Sequence, residues 1–233
     1  MLNEIKTEFF NVEIKCIDIG EVPEGRLRTK FLAAGFKNNI VKILSLEPDQ
    51  PETFLHKVST LALNSVPESV CFLSLGAQRS ADQLSVISQG QLYLNVGLDN
   101  GVLMRQLVDN VTGVMNDSRS QFLGTRGIQL TKIKQQGEDA MVALSNKPWL
   151  CYSYMGQHRI TPISYEALQS VQPFSSSQCP EGIVAICENT LRILQIESLG
   201  EQFTQSVIKT HYTPCKMQVH PETNYLVILE KDH

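Results

Sequence analysis

The residues best equipped by type for chemistry are His211, Cys215 and His220, near the end of the sequence. Imidazole and thiolate are zinc ligands, but a structural zinc site takes four of them at tight spacing. Here Pro214 separates the first two, and His220 stands directly before Pro221 in a turn, so no metal is expected. Ser206-Val-Ile-Lys209 matches the SxxK nucleophile pattern, but it lies in a strand-like stretch with no companion motif. Glu138 and Asp139 are adjacent carboxylates in a turn-like run that starts at Gln136. Neighbours along a strand point to opposite faces, so the two cannot share a substrate as an acid–base pair. His56 and His158 fall in stretches that read as loops, with no constellation around them. The sequence holds no GxSxG elbow, HExxH helix, phosphate-binding loop or GxGxxG turn. The expectation is a non-enzyme: no catalytic, metal-binding or cofactor-binding residues, no cofactor and no small-molecule substrate.

Composition narrows the class of partner. The 233 residues carry 20 Lys+Arg against 24 Asp+Glu, for a formal net charge of −4. Binding to nucleic acid through phosphates draws on a basic excess, because counterion release drives it. RNA contact is therefore expected to be indirect at most, and the basic cluster Arg26, Arg28 and Lys30 reads as a solvated loop. No run approaches the roughly 20 apolar residues of a membrane helix, and the N-terminus lacks the apolar core of a signal peptide. Six cysteines (Cys16, Cys71, Cys151, Cys179, Cys187 and Cys215) show no CxxC, and several sit in apolar strand patterns, as expected in a reducing compartment. The sequons at Asn110 and Asn116 are then incidental.

The elements that would carry any function are repeated. FLAAGFKNNIVKIL, YLNVGLDNGVLMR, MVALSNKPWLCYS and IVAICENTLRIL each run apolar residues through a small residue, cross a short turn and leave on a second apolar strand. With Gly35, Gly97, Ala143 and Ala185 as equivalent points, the spacings are 62, 46 and 42 residues, and YLVILEKDH begins a fifth copy. Repeats of about 40–50 residues made of short antiparallel strands are the mark of β-propeller blades. The fold expected is all-β, a β-propeller of WD-like blades in an incomplete ring of about four. A long polar excursion from Gly76 to Gly90 accounts for the first, longer spacing. Asp99-Asn100-Gly101 supplies turn chemistry, with Gly97 just before it. Trp149, among Leu150, Tyr152 and Tyr154, reads as an aromatic packed between blades. Pro48–Thr60 and Ser164–Gln178 read mainly as loop and linker, Asn110–Asp117 as a turn, and Val207–Tyr212 as a strand.

From Leu92 onward, LYLNVGLDNGVLMR, WLCYSY, ITPISYEAL, SSSQCPEGIVAICENTLRIL and YTPCKMQVHPETNYLVILEKDH resemble the splicing factor 3b subunit 3 family of propeller scaffolds. FLAAGFKNNIVKILSLEP, upstream, resembles it as well. The wider superfamily includes DNA-damage-binding protein one and the large cleavage and polyadenylation specificity factor subunit. The resemblance marks Cys179, Pro180, Glu181 and Gly182, together with Gly97, Asn100, Gly101 and Trp149, as residues of structural motifs. It implies that residues 1–211 form the later part of a middle propeller and 212–233 the start of the following, C-terminal one. It implies a nuclear, non-catalytic scaffold in pre-mRNA splicing, within the ribonucleoprotein that recognises the branch site. The implied partners are the helical-repeat large subunit and a small subunit of splicing factor 3b. The sister families supply the alternative, an adaptor of a cullin-type ubiquitin ligase or of the mRNA 3′-end cleavage and polyadenylation machinery.

Overall fold

The computed structural model describes residues 3–22, 26–47, 54–75, 78–79, 86–88, 90–154, 156–196, 211–220, 223 and 225–232. The chain divides into two compact units, Met1–Glu197 and Ser198–His233. Among the described residues there is no helix, and so none long enough to cross a membrane.

In the first unit, β1 (Ile14–Ile19), β2 (Phe31–Phe36), β3 (Ile40–Ser45) and β4 (Lys57–Ala62) make the first antiparallel sheet, in chain order. The second sheet opens with β5 (Pro67–Leu75). The short pair β6 (Gln78–Arg79) and β7 (Val86–Ser88) then intervenes, and β8 (Gln91–Leu98), β9 (Val102–Val108) and β10 (Met115–Phe122) complete the sheet. The third sheet is β11 (Gln129–Gln135), β12 (Glu138–Leu144), β13 (Pro148–Tyr154) and β14 (Gln157–Pro162). The fourth has three strands, β15 (Ser170–Phe174), β16 (Gly182–Cys187) and β17 (Thr190–Gln195). Each sheet packs on the next through its first strand, β1 on β5, β5 on β11 and β11 on β15. These are propeller blades, with their first strands innermost. The second unit holds one hairpin, β18 (Thr213–Val219) and β19 (Leu226–Lys231).

The repeat has a register. Gly35, Gly97, Ala143 and Ala185 each lie on the second strand of their blade. Their partners on the first strand are Cys16, Ser69, Leu130 and Val171, and on the third Val41, Leu103, Trp149 and Arg192. At Gly35 and Gly97 the residue is small because the next blade comes close. A Cβ on Gly97 would stand 2.5 Å from the Ile128 carbonyl oxygen of the segment that opens blade 3. The inserted β6–β7 pair lies between the first two strands of blade 2, which explains the longer first spacing.

Hydrophobic cores fill the spaces on either side of blade 2. Phe31, Ala33, Val41 and Ile43 of blade 1 meet Val70, Phe72, Leu94 and Val96 of blade 2. On the opposite face of blade 2, Cys71, Leu73 and Leu103 meet Ile128, Met141, Ala143 and Cys151. The far faces of the outer blades are bare. Ile17 and Ile19 on β1 are exposed, as are Leu191 and Ile193 on β17, so the four blades do not close on one another.

Three stretches read from the sequence as loop, turn or linker contain strands. Lys57–Ala62 is β4, Met115–Phe122 is β10 and Ser170–Phe174 is β15. β4 and β10 are outermost strands with little apolar alternation, and β10 is exposed along almost its whole length. β15 contains Pro173, a residue that sheets accept on an edge strand, and β15 pairs within its sheet only with β16. The strand expected over Val207–Tyr212 lies largely outside the described residues.

Candidate functional site

The residues singled out for chemistry are scattered. Cys215 is exposed on β18, and His211 precedes that strand. His220 follows it, its Nδ1 3.1 Å from Thr223 Oγ1. Among the described residues, no three His, Cys, Asp or Glu side chains come together in a way that could hold a metal ion. Ser206 and Lys209 lie outside the described residues. Glu138 and Asp139 are the first two residues of β12, not of the turn, which is Gln136-Gly137 alone. Asp139 lies 3.9 Å from Lys134, its cross-strand partner, an exposed pair worth little. His158 is in strand β14 and not in a loop. His56 lies just before β4, outside any strand.

The charged groups that are well placed hold blades together. Asp18 on β1 accepts a hydrogen bond from the Phe72 amide of β5 at 2.6 Å and lies 3.0 Å from Lys132 Nζ of β11. Lys132 also donates to the Ile19 carbonyl at 3.2 Å. One carboxylate thus joins the first strands of three blades, next to a cleft lined by Glu21, Val22, Lys132, Ile133, Lys134, Asp139 and Pro173. Burial, reinforced by the Asp139 carboxylate, raises the Glu21 carboxyl above its ordinary range. The cleft mixes two acids with two lysines, so it offers neither an anion pocket nor a cation pocket.

The motif residues take positions in turns and blade seams. Gly101 adopts φ +80° at the end of the Asp99-Asn100-Gly101 loop, where a Cβ would meet Gly124 backbone. Asn100 Oδ1 accepts from the Val102 amide at 3.2 Å. Gly101 alone of those three has a positive φ; Asn39 plays the same part at φ 61° in the matching loop of blade 1. These are three-residue hairpin loops with the last residue left-handed. Trp149 is half-buried against the core between blades 2 and 3, and its Nε1–H donates to the Leu123 carbonyl at 3.1 Å.

Cys179 closes a tight turn with Ser176, the two exchanging backbone hydrogen bonds of 2.9 and 3.2 Å, and Pro180 is exposed. Gly182, buried at the start of β16, lies under the Phe174 ring. Glu181 reaches the β11–β12 turn of blade 3. Gln136 and Gly137 both have positive φ there, a two-residue type I′ turn, and both amides donate to the Glu181 carboxylate at 2.5 and 2.6 Å. Two successive amides converging on a carboxylate form an anion-accepting nest. The Cys-Pro-Glu-Gly stretch therefore positions one carboxylate that ties blade 4 to blade 3. That contact was not legible from the motif's composition, although a lone acid flanked by Pro and Gly was a signal that it is held in place.

All six cysteines are free. Burial pushes the Cys16 thiol up to about 11 and the Cys151 thiol to about 12, and it raises that of Cys71 as well. Such thiols pack as small hydrophobes and are poor nucleophiles.

Residues 2–196 match the family model described as the RSE1/DDB1/CPSF1 second beta-propeller. The chain is 44% identical over 224 residues to splicing factor 3B subunit 3 of Danio rerio, covering 96% of this chain and 18% of that one. It is 44% identical over 231 residues to spliceosome-associated protein 130 A of Arabidopsis thaliana, covering 99% and 19%. Pre-mRNA-splicing factor rse1 of Emericella nidulans is 38% identical over 94% of this chain and 18% of its own length. The chain thus spans about a fifth of the length of these curated relatives. Blades stacked through their first strands, glycines where the next blade approaches, and a family match over nearly the whole first unit agree: the chain belongs to the RSE1/DDB1/CPSF1 second beta-propeller family.

Proposed function

We propose that the chain is a non-catalytic scaffold segment acting in pre-mRNA splicing, in the nucleus, as part of a splicing factor 3b assembly. The observation that carries this reading is the 44% identity to proteins named as splicing factor 3B subunit 3 and spliceosome-associated protein 130, over 96–99% of the chain. The physical character of the first unit supports it. Short antiparallel sheets clamped by buried apolar seams and by a three-blade ion pair make a stiff frame, and the loops on such a frame suit protein docking.

In this reading the partners are the helical-repeat large subunit and a small subunit of splicing factor 3b, with RNA contacted through them. Residues 1–211 belong to a middle propeller and 212–233 open the following one. The family match ending at residue 196 and the division of compact units after Glu197 support a boundary shortly before β18.

Affinity purification of the endogenous protein from nuclear extract tests the reading. Recovery of splicing factor 3b subunits with the branch-site particle is the expected result. Recovery of cullin-ligase or cleavage and polyadenylation subunits in their place would overturn it.

A further inference from the structure

The seam between blades 2 and 3 contains a polar set that the apolar packing around it does not explain. Asn95 on β8 is fully buried, with Cys71 and Arg105 as its cross-strand partners. Its Nδ2 donates to the Cys71 carbonyl at 3.4 Å, but its Oδ1 has no partner. The Arg105 guanidinium lies 5.0 Å from the centroid of the Tyr93 ring, and its Nη1 is buried and unpartnered. Across the seam, the His158 ring is centred 6.0 Å from the same tyrosine ring, and its Nε2 is likewise buried and unpartnered. The Tyr93 hydroxyl gives its one proton to Gln91 Oε1 at 2.6 Å, so it has none to donate to Asn95 Oδ1 or His158 Nε2.

The chemistry of the three atoms restricts what can satisfy them. Asn95 Oδ1 accepts only. A neutral imidazole carries its proton on one ring nitrogen only, and with that proton on Nδ1 the Nε2 of His158 accepts too. Arg105 Nη1 donates only. An anion could serve the arginine but would face two acceptors. A cation could serve the two acceptors but would face the guanidinium. An apolar group would leave three buried polar atoms orphaned, each at a cost of about 1–3 kcal/mol. Water is the one small species that donates twice and accepts as well.

We propose that ordered water, one molecule or two in a row, is a built part of the blade 2–blade 3 seam, donating to Asn95 Oδ1 and His158 Nε2 and accepting from Arg105 Nη1. The seam is then apolar around Leu73, Leu103 and Met141 and hydrated around Tyr93. Hydrogen bonds through water fix the register of the two blades at the hydrated end.

A high-resolution crystal structure of the whole protein that carries this segment decides the matter. The expected result is density for water within about 2.7–3.2 Å of these atoms. Density for an ion, or a seam closed by direct bonds among the three side chains, would overturn it. Asn95→Leu and His158→Phe give a second readout from folding equilibria. Water shared between them makes the double variant lose less than the product of the single losses, by about twofold or more. Strictly multiplicative losses would overturn the proposal.

Discussion

Blade 2 and blade 4 are built from the same hairpin phrase, yet blade 2 is covered on both faces and blade 4 on one. In β5 the consecutive residues Val70, Cys71, Phe72 and Leu73 are all buried, the even-numbered ones toward blade 1 and the odd-numbered ones toward blade 3. In β16 and β17, Ile183, Ala185 and Cys187 are buried, while Ile186, Leu191 and Ile193 on the other face are 41%, 72% and 66% exposed. The difference does not lie in the strands' own hydrophobicity, since GIVAIC is as apolar as SVCFL. It lies in having a neighbour on each side. An apolar strand in this fold gains its stability from the adjacent blade, and the same residue type contributes little where that blade is not packed against it.

The comparison breaks first at Phe72. Phe72→Ala is expected to lower unfolding stability by about 3–5 kcal/mol, read from urea denaturation, because the ring is fully buried between blades 1 and 2. A loss under about 1 kcal/mol would mean that the blade 1–2 seam contributes no more than an exposed face does. Trp149→Ala is next, at about 2–3 kcal/mol, below the range for full burial because the indole is only half-buried. Trp149→Phe keeps most of the packing and loses the bond to Leu123, about 1 kcal/mol.

The third effect is pH-dependent. Burial first, then the positive Arg105 and, more weakly, Arg119 hold the folded His158 at about 4 against an ordinary 6.5. Arg119 is itself paired with Asp117 at 3.3 Å. The unfolded chain takes up a proton below the ordinary value and the folded chain does not. This contribution is therefore flat above about pH 6.5, falls as pH drops toward 4 and levels off below. The loss should be about 2 kcal/mol, allowing for partial solvent screening, and His158→Phe should flatten that slope in chemical denaturation at stepped pH. The smallest effect is the sharpest contrast with Phe72: Leu191→Ser on the bare face of blade 4 should change stability by no more than about 0.5 kcal/mol.

The blades were legible in the sequence because each hairpin carries its own signal. Apolar strands flank a turn that places Asn39, Gly101 or Glu188 at positive φ, and all of that lies within about fifteen residues. Outer strands were less legible. β10, MNDSRSQF, buries neither face and so shows no alternation. His158 reads as a loop residue with no constellation around it, and only the packing of blade 3 on blade 2 shows why an imidazole stands there. Of the candidate motif, the tight turn at Gly101 could be read from residue types, whereas the reach of Glu181 to the Gln136–Gly137 turn is a contact between blades. Contacts between blades leave no local periodicity to read.

The clasp at Asp18 has a kinetic consequence. Lys132 and the Ile19 carbonyl it holds are 113 residues apart, and the same ammonium pairs with Asp18. Each hairpin can form on its own, but the clasp forms only after blades 1, 2 and 3 have been brought side by side, with the loop-closure entropy that this entails. It belongs late on the folding route, where interactions act chiefly on the unfolding rate. Removing the carboxylate in Asp18→Ala is therefore expected to speed unfolding of the three blades while leaving their folding rate nearly unchanged.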